Sequence, residues 1–281
     1  MLGIRNRRRR ARRGRRPLLA VTVATALLVP AACSSQDSGE RPGVRDIIAS
    51  AIESARERRQ AESGDTSSRP DPTSTIGTDG RTEFDYADYQ GKLAGTLGLL
   101  EEYWRTTLPE LGGTFRPLKG YTYYRSDQGG GPSCGGEPAP PNNAFYCPVG
   151  DFIAWDESGL MIPYYVQGGD FAAAFVLAHE FGHAVQARLP RQEPLGVLRE
   201  LQADCFAGAW SRWVSQRGLL EAGDLDEATL AVFIARDVPG TQWTDPRAHG
   251  SGFQRTRAFG DGYEGDATDC YPAPKDRWII S

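Results

Sequence analysis

Lysine and histidine are both scarce in this chain of 281 residues. Its only lysines are Lys92, Lys119 and Lys275, and the chain after residue 32 offers no extended basic face. Nucleic-acid binding needs such a face, so that class of function is excluded. Taking away residues 1–32 removes nine of the 32 basic residues and none of the 36 acidic ones, leaving a formal charge of −13. That acidity favours solubility and cationic partners and says little about fold. Cysteine is limited to five residues, none in a C-x-x-C pair, which speaks against a cysteine zinc site. No internal repeat is visible. Long apolar runs are missing too: Leu18–Ala32 has 15 residues, short of the ~20 that a membrane-spanning helix needs.

That run is, however, the right length for the core of a signal peptide. Residues 1–16 ahead of it hold nine arginines and no acid, and Ala31-Ala32-Cys33 closes it with small residues and a cysteine. This is the arrangement of a bacterial lipoprotein signal over residues 1–32, with Cys33 as the lipidated residue. Pro30 departs from it, standing where Leu, Val or Ile is usual. Arg15-Arg16-Pro17-Leu18-Leu19 also fits a twin-arginine signal. An uncleaved anchor with a basic cytoplasmic flank is the other alternative. All of these readings place the remaining chain outside the cytoplasmic membrane, tethered at its outer face or secreted.

The other four cysteines, Cys134, Cys147, Cys205 and Cys270, are even in number, as an oxidising compartment favours. Three connectivities are open to four cysteines. Cys134 and Cys147 flank a loop rich in Gly, Pro and Asn that a disulfide would close; Cys205 and Cys270 would then pair.

Two of the few histidines stand in His179-Glu180-Phe181-Gly182-His183. Positions i and i+4 share one helix face, so both imidazoles can reach a single metal ion. Glu180 sits beside that face, where it can take a proton from an activated water. The flanking sequence is helical and apolar: Phe171–Ala178 precedes the motif, Gly168-Gly169-Asp170 offers a break and an N-cap, and Pro190 stops the helix. A pair of ordinary surface histidines is the bland alternative, and the apolar composition argues against it.

A catalytic zinc needs a third protein ligand and an open position. Glu200 is the candidate, and Asp204 lies one turn on, on the same face of a second helix predicted over 194–217. Asp204 would accept the second N–H of a ligating histidine, most simply His179. Two acids on a helix are more often a solvated face, yet Leu201, Ala203, Phe206, Ala207 and Trp210 make this helix apolar around much of its circumference. Gly182, Ala203, Ala207 and Gly208 would let the two helices approach closely.

His179–Gln186 and Glu200–Gly208, with Ala144–Pro148 before them and His249–Arg255 after, together resemble the bacterial neutral zinc metallopeptidase family that includes the YpfJ proteins. More distantly they are similar to the gluzincins, zincins in which a Glu-x-x-x-Asp helix follows the H-E-x-x-H helix. The resemblance spans roughly residues 83–272. It implies a zincin-like fold and one Zn2+ per chain, with His179, His183 and Glu200 as ligands and Glu180 as the catalytic base. It places His249 in a family motif, where an imidazole near the metal could stabilise a developing oxyanion or could simply cap a glycine-rich loop. Arg255, in the same motif, could pair with Asp204.

Residues 33–82 are rich in Ser, Pro, Asp, Gly and Arg and read as a flexible tether, with one short helix possible over 44–60. Residues 83–281 are then a single zinc metallopeptidase domain, large enough for one core. The spacing predicts a helix over 86–108, strands over 115–124 and 145–153, a helix over 226–236 and an irregular C-terminal stretch of ~40 residues. The expected class is α+β, mainly helical, with a small β-sheet and the H-E-x-x-H helix. In zincins a rim strand takes the peptide substrate as an extra strand, and 151–156 is the candidate here. The function expected is an exported zinc peptidase acting on a peptide or protein substrate, held at the membrane by its N-terminal lipid or anchor. The alternative is a catalytically silent zinc-binding exported lipoprotein acting as a scaffold or binding module. A degraded Glu180 or ligand would mark that alternative, and none is degraded. A zinc hydrolase acting on a non-peptide amide is a further alternative. A purely structural zinc site would need four protein ligands, and only three are evident.

Overall fold

A computed structural model describes residues 84–279. The signal peptide expected over 1–32, the tether over 33–82 and Cys33 lie outside these residues. Helix α1 (Tyr86–Glu110) begins where the Asp85 carboxylate accepts the amides of Ala87 and Asp88, satisfying donors that a helix start leaves unpaired. Of the apolar series Tyr89, Leu93, Leu97, Leu100 and Trp104 that the 3- and 4-residue spacing predicts for its core face, all are buried but Leu97, which is partly buried, and Leu108 extends the face.

A small sheet comes next. Strand β1 (Gly120–Tyr124) is its first, then a loop carrying the two-residue strands β2 (Ser133–Cys134) and β3 (Glu137–Pro138), then β4 (Ala144–Cys147) and β5 (Phe152–Asp156). The three longer strands lie in the order β1-β5-β4, with β1 parallel and β4 antiparallel to β5. The predicted strand over 115–124 is shortened at its start, because Pro117 has no amide to donate to a ladder. The one predicted over 145–153 is in fact two strands, split by a turn at 148–151 in which Asp151 takes φ 55°. Strand β5 is the central strand, paired on both sides, so it cannot add a substrate strand as expected; β4 is an edge. Two short π-helical turns, Glu157–Met161 and Tyr164–Gly168, then lead into the next helix, a feature no sequence pattern announced.

Helix α2 (Asp170–Gln186) carries His179 to His183 and is buried along nearly its whole length. Gly169, rather than Asp170, occupies its cap position; Asp170 is the first helical residue and pairs with Lys92. Helices α3 (Gly196–Gln216), α4 (Asp224–Ile234) and α5 (Gly252–Glu264) come after it, and a short helix α6 (Lys275–Trp278) closes the described chain. Helix α5 overturns the expectation of an irregular C-terminal stretch. Ser251 and Gln254 form a reciprocal capping box at its start, which outweighs the poor helical preference of its glycines. Those glycines serve a crossing: a Cβ added at Gly262 would collide with the carbonyl of Cys205, and one at Gly208 with that of Phe259. Gly182 performs the same service between α2 and α3, where a Cβ would meet Ala203 Cα at 3.0 Å. Both disulfides form with the expected partners, Cys134–Cys147 and Cys205–Cys270, the second tying α3 to the C-terminal segment. The class is α+β, mainly helical, with a small sheet, as expected.

The N-terminus of α2 is anchored from α4, where the Glu227 carboxylate accepts the Phe171 amide. Asp170, Asp224 and Glu227 gather there. Burial pushes the Asp224 carboxyl up to about 6; the Glu221 amide opposes it and the nearby Glu227 and Glu221 charges add to it. The folded value lies above the ordinary 3.8, so folding favours the neutral acid. That contribution is complete below about pH 4 and is lost as pH rises through about 6. Urea midpoints measured across this window should therefore show a falling component that Asp224→Asn flattens. At the α3–α5 crossing, Gly262→Ala should destabilise by roughly 1–3 kcal/mol in thermal or urea unfolding. Gly91→Ala, in α1, is the control: an added Cβ there meets nothing, and the change should be neutral or slightly stabilising.

Candidate metal centre

Nearly continuous apolar sequence buries α2 between its neighbours, and this takes His179 and Glu180 out of solvent while His183 stays half-buried. The i, i+4 spacing sets the two imidazoles side by side, with ring centroids 4.8 Å apart and planes nearly perpendicular. Helix α3 brings Glu200 against both. Its Oε2 lies 3.3 Å from His179 Nε2 and its Oε1 3.5 Å from His183 Nε2. Two ligand atoms bound tetrahedrally to zinc at ~2.0–2.1 Å stand about 3.4 Å apart, so these separations fit a shared ion. All three donors lie within 4.8 Å of one another. Two imidazole nitrogens and a carboxylate are a donor set that suits zinc.

The outer nitrogen of each histidine is also committed. His179 Nδ1 is 2.8 Å from Asp204 Oδ1, as the sequence predicts. Asp204 is fully buried and clasped by Arg255, with Nε at 2.8 Å from Oδ2 and Nη2 at 2.7 Å from Oδ1. The third guanidinium nitrogen donates to the Ala235 carbonyl at 2.6 Å. Burial would push Asp204 up, but Arg255 and His179 outweigh it and hold the carboxylate charged. Burial likewise opposes a charged His179 ring, yet Asp204 and then Glu200 hold its pKa up to about 10. Glu200 is held well below the usual carboxylate range: burial works against it, and His183 and His179 prevail. These carboxylates thus favour positive charge at the imidazole Nε2 atoms, and a divalent cation meets the same demand.

Sequence reasoning missed the partner of His183. Its Nδ1 is 2.9 Å from Gln186 Oε1. The Gln186 amide donates in turn to the Arg199 carbonyl at 2.6 Å and to Gln202 Oε1 at 3.1 Å, and Gln202 donates to the Cys270 carbonyl at 2.9 Å. The i, i+3 spacing of His183 and Gln186 on one helix was the available signal. Both rings therefore carry their proton on Nδ1 when neutral and turn the Nε2 lone pair towards Glu200 and the shared site.

Glu180 is held separately: its Oε2 accepts the Tyr146 amide of β4 at 3.0 Å. His249 is not brought into contact with these groups. It is exposed, and its amide and ring face Asp237, at 2.8 and 3.3 Å. The centre thus unites His179, Glu180, His183, Glu200, Asp204 and Arg255, adds Gln186, and leaves His249 apart. Removing Arg255 strands the buried Asp204 anion beside His179. Arg255→Met should lower zinc affinity by about 10- to 100-fold in chelator competition and stability by ~3–5 kcal/mol.

Comparison with known sequences agrees with this geometry. The profile of the family described as "Putative neutral zinc metallopeptidase" matches residues 64–272. The uncharacterized protein YpfJ of Escherichia coli K12 is 34% identical over 202 residues, covering 62% of this chain and 68% of its own. The uncharacterized protein Rv2575 of Mycobacterium tuberculosis H37Rv is 31% identical over 211 residues, covering 64% and 69%. No solved structure matches the chain. With the profile covering most of its length, the chain belongs to this zinc metallopeptidase family.

Proposed function

We propose that the chain is an exported zinc-dependent peptidase that hydrolyses peptide bonds, with Glu180 as general base. The observation that carries this reading is the convergence of His179, His183 and Glu200 on one point, beside a buried carboxylate that is not itself among the converging donors. Zinc held by those three residues supplies Lewis acidity, which polarises a carbonyl and acidifies water. Glu180 Oε2 is engaged by the Tyr146 amide, so Oε1 is the oxygen open to exchange a proton. It accepts a proton from the attacking water as the hydroxyl joins the carbonyl carbon. It then delivers that proton to the amine as the C–N bond breaks. Asp204 and Gln186 keep the imidazoles in the orientation and tautomer that ligation needs.

The arginine-rich start, the apolar run to Ala32 and the two disulfides support action outside the cytoplasm, with a lipid on Cys33 or an uncleaved anchor as the tether. The mechanism uses no contact of His249.

Incubation of the zinc-loaded full chain with a peptide library, followed by mass-spectrometric mapping of new termini, tests the reading directly. Cleaved peptide bonds are expected, and their absence at every zinc occupancy would overturn it. Glu180→Gln should retain stoichiometric zinc while turnover falls by roughly 10²–10⁴-fold. His183→Ala should lose the metal. Full activity in the first variant, or full zinc retention in the second, would remove the corresponding assignment.

A further inference from the structure

The turn between β4 and β5 holds a cluster that the zinc ligands do not touch. Arg188, just past the C-terminal end of α2, has a side chain only 5% exposed. Its Nη2 donates to both Asp151 oxygens, at 2.7 and 3.0 Å, and its Nη1 to the Ala184 carbonyl at 2.8 Å. Its Nε reaches the Arg116 carbonyl at 3.3 Å. Asp151 Oδ1 also accepts the Tyr146 hydroxyl at 2.8 Å, and Arg188 Nη1 lies 3.4 Å from that hydroxyl. The Asp151 main chain is fixed as well: its amide donates to the Cys147 carbonyl at 2.7 Å, and its carbonyl accepts the Lys119 amide at 2.8 Å. Asp151 has φ 55°, a backbone region that costs energy for a non-glycine residue unless its surroundings impose it. Burial alone would raise its carboxyl, but Tyr146 and Arg188 hold it below the usual range.

The residue at the far end of this clamp is Tyr146, whose amide holds Glu180. Tyr146 pairs with Ile153 of β5 on the inner side of an edge strand. Alternate residues of an antiparallel strand turn their amides away from the partner, and Tyr146 spends its outward amide on the carboxylate. Cys147, the next residue, is fastened to Cys134. The strand that touches Glu180 is therefore held at its hydroxyl, at its turn and at its disulfide. One of those holds comes back to the same helix that carries Glu180.

The geometry points to Arg188, Asp151 and Tyr146 as positioning residues for Glu180. They fix the separation of β4 from α2, so that the Tyr146 amide locks one carboxylate oxygen and leaves the other as the single proton-exchanging atom. A carboxylate torsion is otherwise broad, and an unheld Glu180 would present its oxygens at the wrong angle much of the time. The inference rests on Glu180 being the base of a peptidase, and the test separates the two ideas.

The test uses the full chain with zinc and a quenched fluorescent peptide built around a bond that the wild type cleaves in the library digest. Asp151→Asn keeps a residue that tolerates positive φ while removing the charge that Arg188 grips. Tyr146→Phe removes only the hydroxyl. Each should lower kcat about 10- to 100-fold with KM and zinc content unchanged. In a Glu180→Gln background neither should lower the residual rate further, because the clamp acts only through that carboxylate. A second readout needs no turnover. Hydrogen exchange at the Tyr146 amide should speed up at least about tenfold in Asp151→Asn and in Glu180→Ala. Wild-type kcat together with wild-type exchange in Asp151→Asn would overturn the clamp, as would a loss that persists undiminished in the Glu180→Gln background. If Glu180→Gln itself stays active, the peptidase mechanism fails instead.

Discussion

A buried carboxylate with a guanidinium folded over it, Asp204 with Arg255, is the constraint around which the helical part of this protein is arranged. Neither group is tolerable in the interior alone, and together they still need their remaining hydrogen-bonding positions filled. His179 fills one and the Ala235 carbonyl another. The pair therefore links α2, α3, α5 and the end of α4 at one point. It also explains why α3 and α5 must cross so closely. Arg255 reaches Asp204 only because Gly208 and Gly262 let backbone meet backbone, and the Cys205–Cys270 bridge fastens that face of α3 to the C-terminal segment.

The two histidines of the candidate centre are held by different chemistry. His179 leans on an anion, which makes its ring a stronger donor to a cation, while His183 leans on the neutral Gln186 amide. A second carboxylate behind His183 would have added another buried charge to a region that already contains Glu180, Glu200 and Asp204. Gln186 fixes the tautomer without that cost. Its own amide is fully used, through the Arg199 carbonyl and Gln202, so the network runs on to the second disulfide.

Much of this centre was legible because few residues compete for the roles. With three histidines in the chain, the i, i+4 pair and the Glu200/Asp204 pair left little choice of ligand. Helices α1 to α4 keep to their apolar periods within a few residues. The failures have physical causes. Helix α5 is rich in glycine because its partner helix sits against its backbone, and that composition hides it from a propensity argument; only Ser251 and Gln254 signal its start. The β4–β5 turn reads as continuous strand because Phe145–Ile153 is apolar, although Pro148 and Gly150 stand inside it. The central place of β5 depends on which strands pair, which no local pattern encodes. Its motif draws His249 towards the metal. Its contacts are with Asp237 instead.

The arrangement divides labour between the two kinds of secondary structure. The candidate metal ligands and the groups behind them are supplied by helices, and on the proposed function a disturbance there would alter how tightly a cation is held. Glu180 also rides on α2, but its orientation is set from the sheet, through an amide on an edge strand. The two kinds of hold meet in α2, whose N-terminus is fastened by Glu227 and whose C-terminal end is gripped through Arg188. Glu180 is oriented by the Tyr146 amide and the two histidines by Asp204 and Gln186, so the two sets of contacts share no side chain. On the proposed function, metal retention and proton transfer are separable properties of one short motif, although the residues that would serve them are neighbours in sequence.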